Sequence, residues 1–276
     1  LVDQEPTGPL SRRRRCSRYA LYRRVRQACR WLVRQSPDAL LPTDGDLVLI
    51  VDGLWFTFQH CEWVLYNMAL RPVAAERAYF LAPVLLEGTE CGGRWRQALE
   101  IALGPEQRRR IRAFVTDGFR GAKRIAADNG WVLQRCHWHV LAALRNLLGT
   151  RRRTIRGRKI RQAIYHLVQE ALWVPDETRV QEICHELGHL TQHRHCHVRL
   201  RYLVGGFVKD IADFRAYLRH PELRLPRTVS ALESEHSRLR EAASRIKTPQ
   251  AVLLRLRSLI RLTPSIRCRA AKNPQN

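Results

Sequence analysis

Apolar and polar residues follow two different rhythms along this chain. Between residues 47 and 134 short apolar runs dominate. Leu47-Val48-Leu49-Ile50-Val51 has strand length, and three of its five residues are β-branched. Apolar runs at residues 63–70 and 78–86 follow after short polar gaps, a spacing that predicts a three-stranded antiparallel meander. Pro83 inside the third run pushes it towards an edge or a strand end. Residues 95–103 read as a helix ended by Gly104-Pro105. A strand over 113–116, a helix after Gly118 stopped by Asn129-Gly130, a strand over 131–134 and a helix over 138–148 complete this part.

The rest of the chain keeps helical time. Within residues 11–35, Tyr22, Val25, Cys29 and Leu32 form a narrow apolar stripe among arginines. Ser36-Pro37-Asp38 and Pro42-Thr43-Asp44-Gly45 read as a linker. Residues 150–225 hold little that reads as strand, while 160–173 and 177–193 are helical in character. Pro221 and Pro226 bracket a loop. A helix from about Thr228 places Val229, Leu232, Leu239, Ala243 and Ile246 on one face. Thr248 is a natural N-cap with Pro249 at the first helical position, and Leu253, Leu256, Leu259 and Ile260 form the apolar side of that last helix. The tail after Pro264 is expected to be loose. The expectation is an α/β fold whose element order is that of an RNase H-like core, a mixed sheet flanked by helices, with an all-α insertion before the helix carrying Glu233; pattern alone allows other α/β folds. The boundaries are 1–44 for a basic helical segment and linker, 45–149 for the first part of the core, 150–226 for the insertion, 227–263 for the closing helices and 264–276 for the tail.

Composition narrows the function. The 276 residues carry 49 Lys and Arg against 25 Asp and Glu, a formal charge of +24. Nearly all the cations are arginine, which favours bidentate contacts to phosphate. Such a balance points to nucleic acid before anionic membrane. No apolar run approaches the roughly 20 residues of a membrane span. Eight scattered cysteines without a CxxC pair argue against a disulfide framework and fit a reducing compartment. The chain starts at Leu, so part of an N-terminus is expected to be missing.

Chemistry enters through a repeated phrase. Two apolar strands run into Asp-Gly, at Asp52-Gly53 and at Asp117-Gly118. Asp-Gly is ordinary turn chemistry, yet a carboxylate at a strand end of an open α/β sheet sits where such sheets place working groups. Two-metal phosphoryl transfer needs a further hard oxygen ligand. The helix from residue 228 offers Glu233 and Glu235, of which helical periodicity places Glu235 nearer the apolar stripe. A rival phrase, His185-Glu186-Leu187-Gly188-His189, has the spacing of a zinc peptidase, and His195 stands where one class has a third ligand. Gln192 departs from that pattern, and a peptidase accounts for neither the charge nor the paired Asp-Gly strands.

The phrases around Asp52-Gly53, Val115-Thr116-Asp117-Gly118, Cys136-His137-Trp138-His139 and Ala231-Leu232-Glu233-Ser234 together resemble the DDE transposases of bacterial mutator-type insertion sequences, over roughly residues 45–262. The resemblance favours Glu233 over Glu235, with Ser230 where the family often carries Asn. It implies that Asp52, Asp117 and Glu233 are catalytic and hold two Mg²⁺ or Mn²⁺ ions, and that Cys136 and His139 form the family's motif beside the site. It further implies strand cleavage and transfer on transposon ends and target DNA, a homo-oligomer on DNA, and a bacterial, nucleoid-associated cytoplasmic location with no membrane partner. Arg12, Arg13, Arg14, Arg15, Arg120 and Arg240 are the candidate DNA contacts. The alternatives are a DNA-binding relative with an inactive core and, more remotely, the zinc peptidase.

Overall fold

The computed structural model describes residues 17–35, 44–148 and 157–269. Arg12 to Arg15, the linker around Pro37 and Pro42, and most of the basic run beginning at Arg151 lie outside the described residues. The chain forms an α/β fold around one mixed sheet. Its strands are β1 (Leu47–Phe58), β2 (Cys61–Pro72), β3 (Arg77–Phe80), β4 (Val84–Glu87), β5 (Ile111–Thr116), β6 (Val132–Arg135) and β7 (Ser265–Arg267). The sheet order is β6-β5-β1-β2-β3-β7, with β4 also paired to β2. β1, β2 and β3 run antiparallel as a meander, whereas β5 and β6 join parallel to β1.

Two expectations change here. The third apolar run splits around Pro83, which cannot donate to a ladder; β3 pairs with one half of β2 and β4 with the other. The described residues after Pro264 are not loose, because β7 pairs with β3 and the Cys268 amide donates to Glu76 O at 2.8 Å. Pro83 is the local sign of the split, whereas nothing local marks β7, whose partner β3 lies far back along the chain.

Period-two alternation sorts the strands onto two faces. Leu47, Leu49, Val51, Tyr66, Met68 and Phe114 look one way. They pack under α2 (Gly92–Ala102) and α4 (Ala122–Asp128) through Trp95, Ala98, Leu99, Ala122 and Ile125. The short α3 (Pro105–Arg110) leads into β5. Val48, Ile50, Ala69, Ala113 and Val115 look the other way, where Leu232 of α11 (Ser230–Ala243) covers them. Further along this face Leu54, Phe58 and Leu65 meet Leu239 of α11 and Val252 and Leu256 of α12 (Pro249–Leu262). Thr248 precedes α12, but its side chain makes no capping bond. α1 (Arg18–Arg34) packs on α12 and buries Leu21 and Cys29, so its inner stripe begins at Leu21; Tyr22, expected inside, is half exposed.

The segment after β6 is helical throughout its described part. It comprises α5 (His137–Leu148), α6 (Arg158–Trp173), α7 (Glu177–Gln192), α8 (Val198–Lys209), α9 (Ile211–Phe214) and α10 (Ala216–Arg219). A short 3₁₀ turn (Pro221–Leu223) follows. Ile164, Val168, Leu172, Ile183, Leu187, Leu200 and Phe207 form a second apolar core, and Val140 and Leu144 of α5 belong to it. Arg215 is buried at its edge. Its guanidinium donates to Ala171 O at 2.8 Å and Val174 O at 2.5 Å and pairs with Glu177 at 3.0 Å. These acceptors make the buried guanidinium tolerable, although its Nε has none. No described helix is long and apolar enough to cross a membrane.

Candidate active site: a carboxylate cluster beneath a helix

β1 and β5 are in parallel register with Ile50 opposite Val115. Two residues further along each chain stand Asp52 and Asp117, so the register carries both to the same level and, by the two-residue period, to the same face. On that face the row Val48, Ile50, Leu54 is apolar, and Asp52 interrupts it. Asp52 is not at a strand end, as the sequence suggests; β1 continues to Phe58 and Asp52 is buried in its middle. The ladder to β5, however, stops just before it, so Asp52 borders an opening on that side.

Asp117 follows β5 directly and is only partly buried. Its Oδ1 accepts from the Phe119 amide at 3.2 Å and the Thr116 hydroxyl at 3.1 Å, which fixes the carboxylate at the turn. Gly118 turns there with φ +95°, and a Cβ at this position would stand 2.3 Å from Arg135 Nε. Only glycine suits both the dihedral and the space.

α11 delivers Glu233 from above and α5 delivers His139 from the side. His139 Nδ1 and Glu233 Oε1 are 3.4 Å apart without hydrogen-bond geometry, and both atoms are buried and otherwise unpartnered. Donor atoms of Asp52, Asp117 and His139 lie within 4.8 Å of one another, as do those of Cys136, His139 and Glu233. His139 therefore joins two overlapping groups that contain all three carboxylates. Glu235 turns away and pairs with Arg238 at 2.9 Å, so of the two it is Glu233 that lies beside His139.

The crowding has an electrostatic cost. Burial, then the neighbouring charges of Asp117, Glu233 and Glu90, push the Asp52 carboxyl up to about 8. Glu233 is also raised, by burial first and by Asp117, against the opposing effect of His139. Three carboxylates drawn together against repulsion, with unpartnered donor atoms among them, fit a site for a hard divalent cation. Cys136 fits such a role less well. Burial pushes its thiol up to about 12, and its sulfur accepts from the Val229 amide at 3.4 Å. It packs the start of α5 against the turn into α11.

Sequence reasoning missed three neighbours. His236 lies one turn beyond Glu233, buried, with Nδ1 3.6 Å from Asp52 Oδ2. Burial first, and then Arg240, hold its pKa down at about 4, so it is neutral. Its signal was available, since Leu232, His236 and Leu239 share one helical face. Asn67 stands opposite Asp52 on β2, fully buried, with neither amide atom partnered. Glu90 comes from a loop and accepts from Trp95 Nε1 at 2.8 Å; it comes so close to Gly53 that a Cβ there would lie 2.7 Å from Glu90 Oε1. No local pattern marks Asn67 or Glu90.

The remaining candidates are dispersed. Arg120 and Arg240 are exposed. His185, Glu186 and His189 lie on the solvent face of α7; the two rings are 4.5 Å apart, and no third metal-capable side chain joins them among the described residues. No protein-family model and no curated protein matches this chain.

Proposed function

We propose that the chain is a DDE transposase that cleaves and joins DNA strands with divalent metal ions on an RNase H-like core. One observation carries the proposal: the β1–β5 register sets Asp52 level with Asp117 on the face that α11 covers with Glu233. The element order supports it, with the antiparallel strands β1–β4, two helices, the parallel strands β5 and β6 alternating with helices, and a helical segment inserted before Glu233. The charge of +24 supports a polyanionic substrate.

Asp52, Asp117 and Glu233 would hold two Mg²⁺ or Mn²⁺ ions, which when bound activate a water or DNA 3′-hydroxyl and stabilise the leaving 3′ oxygen. The Phe119 amide and Thr116 hydroxyl hold Asp117 in place, and Gly118 keeps the turn tight. His139, partly exposed beside Glu233, is placed to meet the phosphate or its water. His236 stays neutral on α11, its Nδ1 3.6 Å from Asp52 Oδ2. Surface arginines gather the DNA, and a homo-oligomer holding two ends is the assembly this chemistry implies. The test is Mg²⁺-dependent cleavage of linear DNA carrying the element ends. Asp52→Asn and Asp117→Asn should each lose at least about a thousand-fold in rate, the scale expected when charge stabilisation is removed from a transition state, while DNA binding persists. Either variant cutting at the normal rate refutes the assignment.

A further inference from the structure

A cavity of about 250 Å³ opens beside the carboxylates, with Asp117 and His139 at one end. Its far walls come from the helical segment: Tyr202 and Leu203 of α8, then Phe207 and Phe214, whose buried rings are 5.2 Å apart. Arg135 lines it too, stacked at 4.6 Å on the Phe214 ring and paired with Asp210 at 3.0 Å. Tyr202 is 79% exposed, a large aromatic left out of the core.

Gly206 supplies the second observation. It sits inside α8 beside Gly205, and a Cβ at either position would meet no atom within 4 Å. Glycine in a helix interior is unfavourable, and packing does not call for it here. What the bare backbone does is leave this cavity open, since Gly206 lines it.

We propose that the cavity receives one nucleobase of the DNA strand, unstacked from its neighbour, while the adjoining phosphate lies at the acidic cluster. The proposal rests on the metal-dependent DNA reading above. A ligand with its phosphate at Asp117 and His139 carries its next group into this space, which offers it the exposed Tyr202 ring and, at the side, the Arg135 guanidinium that covers the buried Phe214 ring. Nucleobases bind by stacking on such side chains, largely irrespective of sequence. A peptide would find few polar partners for its backbone here.

The probes are an octamer of thymidylate and a sugar-phosphate strand of equal length without bases, each titrated into the full chain with Mn²⁺. The wild type is expected to prefer the thymidylate strand about ten-fold, the scale of one stacked base. Gly206→Leu, which fills the space, and Tyr202→Ala should each remove most of that preference and leave binding of the baseless strand and of Mn²⁺ unchanged. Equal binding of the two strands by the wild type overturns the proposal. So does a preference that survives Gly206→Leu, or one lost instead in Tyr19→Ala and Trp31→Ala on α1. Failure of the wild type to bind Mn²⁺ counts against the metal site itself and is read separately from the base preference.

Discussion

Asp52 shows how a single carboxyl can set the pH response of the whole chain. In the folded state burial and its acidic neighbours raise it from 3.8 to about 8, so it keeps its proton across a range where the unfolded chain has lost it. The folded form binds more protons in that window, and the metal-free protein therefore loses stability as pH rises from about 4 to about 8. Thermal unfolding in chelator should show this decline, and Asp52→Asn should flatten it and raise the midpoint at pH 8. His137 works in the opposite direction. It is buried between Trp173 and Tyr217, its Nε2 lies 2.7 Å from Phe214 O, and burial holds its pKa down at about 4. Here the unfolded chain binds more protons between pH 4 and 6.5, so stability falls on acidification through that interval. His137→Gln should lessen the acid sensitivity measured by urea unfolding at pH 5 against pH 7.

At the level of elements, the turn after β5 and the edge of the helical segment carry distinct risks. Gly118→Ala forces a left-handed backbone and a collision with Arg135, which should cost about 1–3 kcal/mol and shift Asp117. Calorimetric titration with Mn²⁺ should report the lost affinity even where the fold survives. Arg215→Leu removes the donors to Ala171 O and Val174 O, which should destabilise by about 3 kcal/mol in urea. The sequence made some of this legible. β1, β5, β6 and the final helices announce themselves through apolar runs, helical periodicity and Pro249 at the start of α12, and the two Asp-Gly phrases mark the carboxylates that meet. β7 depends on a partner strand far along the chain, and the splitting of β3 from β4 on Pro83 and on how each half lies against β2. The length of β1 was hidden because Asp-Gly reads as a stop; pairing with β2 carries the strand through it. Glu90 and Asn67 reach the site only through folding, so no local pattern could single them out.

Across the whole molecule the charge of +24 sets the expectation for the proposed DNA binding. DNA affinity should fall steeply with salt, the logarithm of the binding constant declining with a slope of about −0.9 per phosphate neutralised on duplex DNA. Arg120→Ala and Arg240→Ala, if those side chains touch phosphates, should each make that slope shallower by about one, read by fluorescence anisotropy between 50 and 200 mM salt; an unchanged slope removes them from the interface.

α5 belongs to two bodies at once: its first turn faces the carboxylates through His139, while Val140 and Leu144 are bricks in the core of the helical segment. A lever with one arm in each compartment cannot tilt at one end only. On the reading proposed above, a strand of DNA or a second copy of the chain pressing on the helical segment would be felt at His139, and the readiness of the carboxylates to react would answer to what the chain holds.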